Sequence, residues 1–277
     1  MGSSHFKKSS RMTEINRSYA DVTVVIPCFN SESTISRAIE SIFSQELLPK
    51  SIIVIDDKST DNTFSKLVEI QNRSKLINFE IIRNSQNFGP GISRNLGWDL
   101  ATTKWIAFLD SDDSWHPKKL KIQFSVLESD PEIDVICTAT ILNNTEQINT
   151  SCENNYPLTE ISFKSLLFKN TIPTRSVILR KEIQNRFPAG LSEDFSLWLS
   201  CLDSHFKVVK IEAPLAIHFR PEFSKGGLSS QLLKHEYYEL RRIANYLLEK
   251  PLIASAALVF SCLKFLRRLL INLFRGA

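Results

Sequence analysis

The stretch Trp105-Ile106-Ala107-Phe108-Leu109-Asp110-Ser111-Asp112-Asp113 decides how the chain reads. Five apolar or aromatic residues in a row predict a buried strand, and three carboxylates crowd the four positions after it. Like charges held that close raise one another's pKa and oppose folding. A divalent cation removes the cost. Mg2+ or Mn2+ prefers hard oxygen ligands and reaches proteins through one or two carboxylates plus substrate phosphates. Without a cation, the same residues form an acidic turn in solvent.

Outward from this stretch, strand and helix patterns alternate. Residues 22–27, 51–55, 79–82 and 105–109 read as strands, and 33–45, 62–71 and 92–101 as helices. The first helix carries the stripe Ile35, Ile39, Ile42 and Phe43, and Pro117 opens a further helix at its first turn. Such alternation predicts an α/β domain with a mostly parallel sheet and helices on both faces. Ligands bind such sheets outside the carboxyl ends of the strands. Three strand-end loops then share one rim: Pro27-Cys28-Phe29-Asn30, Asp56-Asp57-Lys58-Ser59-Thr60-Asp61 and Asp110-Ser111-Asp112-Asp113. From 134 to about 220 the pattern is mixed, with strands near 135–141, 176–180 and 208–211. Residues 193–202 read as a helix whose apolar positions are Phe195, Leu197, Trp198 and Leu202. After Gly226-Gly227 the pattern is helical.

Composition narrows the function classes. A formal charge of +4, dispersed along 277 residues, gives no footprint for nucleic acid. Five cysteines without a Cys-x-x-Cys pair fit reduced thiols in a cytoplasmic protein. Residues 1–20 lack the apolar run of a signal peptide and read as a mobile leader. The longest uncharged apolar run, 251–263, ends at Lys264, short of the ~20 residues that span a bilayer. From 261 onward, helical spacing gathers Ser261, Lys264, Arg268, Asn272 and Arg275 on one face, with Arg267 at its margin. Leu263, Leu266, Leu269, Leu270, Leu273 and Phe274 take the other. This basic amphipathic helix either packs its leucines on the domain or lies on an anionic membrane.

Taken in order, Val24-Val25-Ile26-Pro27-Cys28-Phe29-Asn30 and Val54-Ile55-Asp56-Asp57-Lys58-Ser59-Thr60-Asp61 resemble the opening of the family 2 glycosyltransferases. So do Asn87-Phe88-Gly89 with Ser93-Arg94-Asn95-Leu96-Gly97, the Asp110-Ser111-Asp112-Asp113 loop, Pro173-Thr174-Arg175-Ser176-Val177, and Glu193-Asp194-Phe195-Ser196-Leu197-Trp198-Leu199. The likeness covers roughly residues 21–225. It implies a GT-A fold there, a Rossmann-like nucleotide-binding half joined to a mixed-sheet acceptor half; beyond it, over 226–277, the residues themselves read as a helical tail with the basic amphipathic, membrane-associating helix. It implies transfer of one sugar, with inversion, from a nucleotide diphosphate (UDP by family habit) to a glycan or lipid-linked acceptor. The setting would be lipopolysaccharide, O-antigen or exopolysaccharide synthesis by a cytoplasmic enzyme peripheral on the inner face of the membrane. The Gln-x-x-Arg-Trp signature of processive members is absent.

By position, the resemblance lays Phe29 against the base, with Pro27, Asn30 and Ser111 also on the donor. Asp57 would accept from the base NH, Asp110 would approach the ribose, and Asp112 would hold Mg2+ or Mn2+ on the diphosphate. Arg94 contacts the nucleotide or supports its loop. Asp194, beside Glu193, would be the catalytic base, and His218 and Arg220 fall where relatives place polar groups over the diphosphate. Lys58 stands where the family often has glycine, which demands another turn geometry or strain. The chemistry agrees: a single displacement needs a carboxylate for the acceptor's proton and a cation for the leaving diphosphate. Glu193-Asp194 also suits a helix first turn, where negative charge complements the dipole. Two alternatives compete. Haloacid-dehalogenase-like phosphatases share strand-Asp-x-Asp, but commonly near the start of their fold, whereas three strands precede it here. A catalytically silent nucleotide-sugar-binding protein would not need both Asp112 and Asp194.

Overall fold

The computed structural model describes residues 18–74, 77–143, 156–220 and 232–275. The leader up to residue 17, the Gly226-Gly227 break and the side chains of the predicted amphipathic face from Leu269 to Arg275 lie outside the described residues. The first half alternates: β1 (Tyr19–Cys28), α1 (Ile35–Phe43), β2 (Leu48–Asp56), α2 (Thr63–Arg73), β3 (Asn78–Arg83), α3 (Pro90–Leu100) and β4 (Trp105–Phe108). Next come β5 (Ser114–Trp115), α4 (Lys119–Ser129), β6 (Val135–Leu142), β7 (Leu158–Glu160), α5 (Phe163–Phe168) and β8 (Ile178–Arg180). The chain continues through α6 (Glu193–Asp203), β9 (Val208–His218), α7 (Leu232–Ala244) and α8 (Pro251–Arg275).

The strands form one sheet in the order β3-β2-β1-β4-β8-β6-β9-β5, with β7 beside β9. The first four are parallel, so the loops after β1, β2 and β4 leave the same edge. Antiparallel β8 then joins β4 to β6 and begins the mixed half. Short β5 pairs with the end of β9, Ser114 opposite Ile217, which carries Arg220 back to the acidic loop.

Pro27 sits inside β1 at no ladder cost. Val25 O accepts from Leu109 N at 3.2 Å, just where β4 ends. Pro27, two residues on, aims its nitrogen the same way, past the end of β4. Pro214 is likewise tolerated in β9 because it faces a register shift at Ala139. The helix expected to open at Pro117 starts two residues later, at Lys119. Gln45, at the end of α1, accounts for the delay: its Nε2 donates to His116 O at 2.9 Å and its Oε1 accepts from Leu120 N at 3.1 Å.

Two apolar layers flank the sheet. Ile35, Ile39 and Ile42 of α1, Leu67 of α2 and Leu120 and Leu127 of α4 fill one. The other holds Trp98 of α3, Leu166 of α5, Leu197 and Trp198 of α6, and Ala254 and Ala257 of α8. Here Trp98, Phe108, Phe187 and Trp198 meet edge to face, with ring centroids 5.2–5.8 Å apart. They seat the segment that leads into α6.

The tail is oriented against the electrostatic expectation. The face carrying Ser261, Lys264 and Arg268 turns inward. Ser261 Oγ donates to Glu236 Oε1 at 2.9 Å, Lys264 pairs with Glu239, and Arg268 lies 4.0 Å from Glu236. Leu252, Val259, Leu263 and Leu266 face out, 54–89 % exposed. Glutamates on α7 attract the basic face, and small Ala254 and Ala257 let α8 approach the core.

Helix α3 lies directly on β1: a Cβ added at Gly97 would fall 2.4 Å from Val25 Cγ1. Gly97→Ala should therefore destabilise the fold by about 1–3 kcal/mol, the usual cost of overpacking. Urea unfolding measures it, and an unchanged midpoint would contradict this packing.

Candidate active site

The three expected loops interlock. Asn30 N donates to Ser59 Oγ at 3.0 Å, and Asn30 Oδ1 accepts from Thr60 N at 2.8 Å, tying the first loop to the second. Ser31 Oγ lies 2.7 Å from Ser111 Oγ, tying the first to the third. The price is backbone strain: Asn30 and Lys58 adopt φ +48° and +66° in the left-handed region. Lys58 thus keeps the geometry that glycine would take freely.

Asp57 is buried and serves its own scaffold. Its Oδ1 accepts from Asn84 Nδ2 at 2.7 Å and Phe88 N at 3.0 Å, and its Oδ2 from Gly89 N at 2.7 Å. This fixes the entry to α3, where Gly89 has φ +87°. Asp56 does the same lower down, accepting from Ser59 N at 3.1 Å and pairing with Arg83 at 3.0 Å. Phe29 is 47 % exposed, its ring uncovered on the rim, while Pro27 is buried in β1.

Arg94 joins the two halves. Its Nη2 donates to Asp110 Oδ1 at 2.6 Å and its Nη1 to Glu193 Oε1 at 3.2 Å, with the Phe187 ring beneath. The side chain is 7 % exposed, so the guanidinium supports the site from within. Burial alone would raise the Asp110 pKa, but the Arg94 and Arg175 charges outweigh it and hold the carboxyl low. Burial and the neighbouring Asp194 raise Glu193, with Arg94 opposing them. Burial likewise dominates at Asp113, pushed up to about 8 despite Arg175 at 3.2 Å, with Asp110 and Asp112 adding repulsion.

Asp112 is the most open of the acidic loop, its side chain 38 % exposed. Its backbone carbonyl accepts from Arg37 Nη2 at 2.6 Å, and its carboxylate lies 3.9 Å from Arg220 Nε. Arg37 also stacks on Phe219, 3.6 Å from the ring centroid. His218 Nδ1 turns to Arg220 O at 3.0 Å. Among the described residues, no three His, Cys, Asp or Glu side chains converge as a metal cage. The donor set fits a hard cation held by one carboxylate and completed by phosphate and water.

Asp194 sits on the first turn of α6, and its Oδ2 accepts from Asn170 Nδ2 at 3.1 Å. Ser192, just before, takes φ +55°. Asn170, Arg37, Ser31 and Asn84 escaped sequence reasoning, because each acts through contacts between distant loops. Arg175 lay within a recognised stretch but carried no role of its own. A surface depression of about 660 Å³, near Asp21 and Lys104, lies at the starts of β1 and β4, away from these residues.

Arg94→Met would leave the partly buried Asp110 and Glu193 without their cation, at a cost of up to about 3 kcal/mol. The lowered Asp110 pKa contributes stability above the ordinary carboxylate range, lost as pH falls through the folded value. The deficit should therefore be largest at neutral pH and shrink in acid. Chemical unfolding across pH checks this; a deficit that grows in acid would contradict the assignment.

Residues 23–186 match the model of the family described as "Glycosyl transferase family 2". An Escherichia coli relative, "UDP-Glc:alpha-D-GlcNAc-diphosphoundecaprenol beta-1,3-glucosyltransferase WfgD", is 32% identical over 184 residues, covering 65% of this chain and 69% of its own. The E. coli glucosyltransferase WfaP, named for the same reaction, is 31% identical over 67% of this chain and 72% of its own. In structure, S. aureus TarS 1-349 in complex with UDP-GlcNAc superposes with a TM-score of 0.63 and 20% identity, over 81% of this chain and 66% of that one. The Pyrobaculum calidifontis mannosyltransferase PcManGT with GDP-Man and Mn2+ gives 0.63 at 16% identity, over 87% and 73%. The chain thus spans about two thirds of the TarS fragment. The matched span holds all three rim loops and Arg94, and the sheet order carries the nucleotide-binding half into a mixed one. The chain belongs to glycosyltransferase family 2, with the GT-A fold.

Proposed function

We propose that the protein moves one sugar from a UDP-linked donor to a lipid-linked or glycan acceptor, with inversion, during synthesis of a cell-surface polysaccharide. The observation that carries the reading is the Arg94 bridge, which sets Asp110 of the donor loop and Glu193, beside Asp194, on one guanidinium. The named reactions of WfgD and WfaP support a UDP donor and a diphosphate-linked lipid acceptor. A phosphatase reading finds no support in these relatives.

Phe29 offers its exposed ring to the base, and Asp110 and Ser111 lie along the path to the diphosphate. The chemistry that Mg2+ or Mn2+ bound at Asp112 supplies is neutralisation of the leaving diphosphate. Asp194, oriented by Asn170, takes the proton of the acceptor hydroxyl as its oxygen bonds to the anomeric carbon. The bond from that carbon to the diphosphate breaks, and its electron pair leaves with the nucleotide.

Membrane attachment rests on apolar area more than charge. Lys264 and Arg268 face Glu239 and Glu236, which leaves Arg267 exposed beside the outward leucines. Each leucine fully buried in lipid is worth about 1.5–3 kcal/mol. Truncating the tail at residue 251 would also strip Ala254 and Ala257 from the core, so surface substitutions make the cleaner test.

Asp112→Asn should abolish Mn2+-dependent UDP binding in calorimetry, because an amide cannot neutralise the cation. Asp194→Asn should keep that binding and lose about a hundredfold or more in turnover, the scale of a general base. Interchanged effects would overturn both roles. For the tail, Leu252→Glu with Leu263→Glu should release the protein from anionic vesicles without lowering its melting temperature. Wild-type sedimentation should persist at high salt; release by salt alone would contradict the apolar mode.

A further inference from the structure

Helix α1 carries two stripes. Ile35, Ile39 and Ile42 pack on the sheet. Arg37 and Ser41, with Gln45 two residues past the helix end, follow at four-residue steps on another face. All three hydrogen-bond the backbone of one segment, the run from the acidic loop into α4. Arg37 Nη2 donates to Asp112 O at 2.6 Å, and Ser41 Oγ accepts from Trp115 N at 3.0 Å. Gln45 Nε2 donates to His116 O at 2.9 Å, and its Oε1 accepts from Leu120 N at 3.1 Å. The stripe is itself braced: Ser41 Oγ donates to Ala38 O at 2.7 Å, and Ser41 O accepts from Gln45 Nε2 at 3.0 Å. A core helix thus serves as the template on which the chain from Asp112 to Leu120 is laid out.

We propose that Arg37 is a positioning residue: through the Asp112 carbonyl it sets where the Asp112 carboxylate stands for the divalent cation, and Ser41 holds the next turn of the same loop. The inference rests on Asp112 as the ligand of Mg2+ or Mn2+. With a side chain 38 % exposed, Asp112 depends on its backbone for a fixed position. Arg37 is an expensive way to supply one. Its Nε is buried without an acceptor among the described residues, an arrangement that stability alone would not keep. The same guanidinium lies 3.6 Å from the ring centroid of Phe219, just past the end of β9, and so ties that end to the acidic loop. Charge and position act in opposite directions here. A guanidinium beside the site repels a divalent cation, so its removal should tighten binding if charge were its whole contribution. If position dominates, its removal weakens binding.

Electron paramagnetic resonance of Mn2+ titrated into the full chain with saturating UDP reads the affinity, and melting without metal reads the fold. Arg37→Met should weaken Mn2+ binding by about tenfold or more, the scale on which groups behind a metal ligand act, and leave melting nearly unchanged. Arg37→Lys, which keeps a donor for the Asp112 carbonyl, should recover most of the loss. Ser41→Ala should weaken binding in the same direction, by less. Unchanged or tighter Mn2+ binding in Arg37→Met overturns the proposal, and so does an Arg37→Lys variant no better than Arg37→Met. A loss that follows a fall in melting temperature across Arg37→Met and Ser41→Ala also overturns it, because the stripe would then serve the fold alone. Asp112→Asn separates this inference from the reading beneath it. Wild-type Mn2+ binding in that variant sinks the metal site, whereas its loss there with no change in Arg37→Met sinks the positioning role alone.

Discussion

One buried guanidinium holds this site together. Arg94 bonds an aspartate from the nucleotide-binding half and a glutamate from the mixed half, at 7 % exposure, where neither carboxylate has an equivalent partner. A buried cation is tolerable only when both charges around it are present and aimed. The surrounding fold aims them. Gly97 lets α3 settle onto β1, Phe187 lies under the guanidinium, and Asp57 fixes the loop that launches α3. These contacts fix Arg94, and with it the spacing between the acidic loop and the start of α6.

Of the four non-glycine residues in left-handed backbone among the described residues, three flank the site, and His205 lies apart, past the end of α6. Asn30 and Lys58 lie in the interlocked loops, and Ser192 sits at the threshold of α6. Hydrogen bonds of Asn30 with Ser59 Oγ and Thr60 N, and of Ser192 Oγ with His235 Nδ1, hold conformations that an isolated peptide would avoid. The acidic rim follows the same logic, because Arg175, Arg37 and Arg220 each approach the loop from a different element. Arginines offset the mutual repulsion that burial makes severe at Asp113.

The nucleotide-binding half was legible in the sequence because each strand and helix there announces itself by local periodicity. The rim followed from it, since parallel strands send their carboxyl-end loops to one side. The mixed half was less so. Short β5 and β7 carry too few residues to show a period, and the insertion of β8 between β4 and β6 is a tertiary choice. The register shift at Pro214 hid the length of β9. Asn170 and Arg37 gave no signal, because nothing local distinguishes a surface asparagine from one that holds a carboxylate. The tail shows the limit most plainly. Over residues 261–268 helical spacing separated the two faces, yet Glu236 and Glu239 on another helix decide which face turns inward.

The central claim is that donor loop and acceptor half form one metal-assisted site across Arg94. Crystals of the full chain grown with UDP and Mn2+, recorded at the manganese absorption edge, test it most directly. The account predicts an anomalous peak bonded to the Asp112 carboxylate and the diphosphate, the uracil against Phe29, and Arg94 still between Asp110 and Glu193. Manganese away from Asp112, or nucleotide bound outside the rim of β1, β2 and β4, would contradict it.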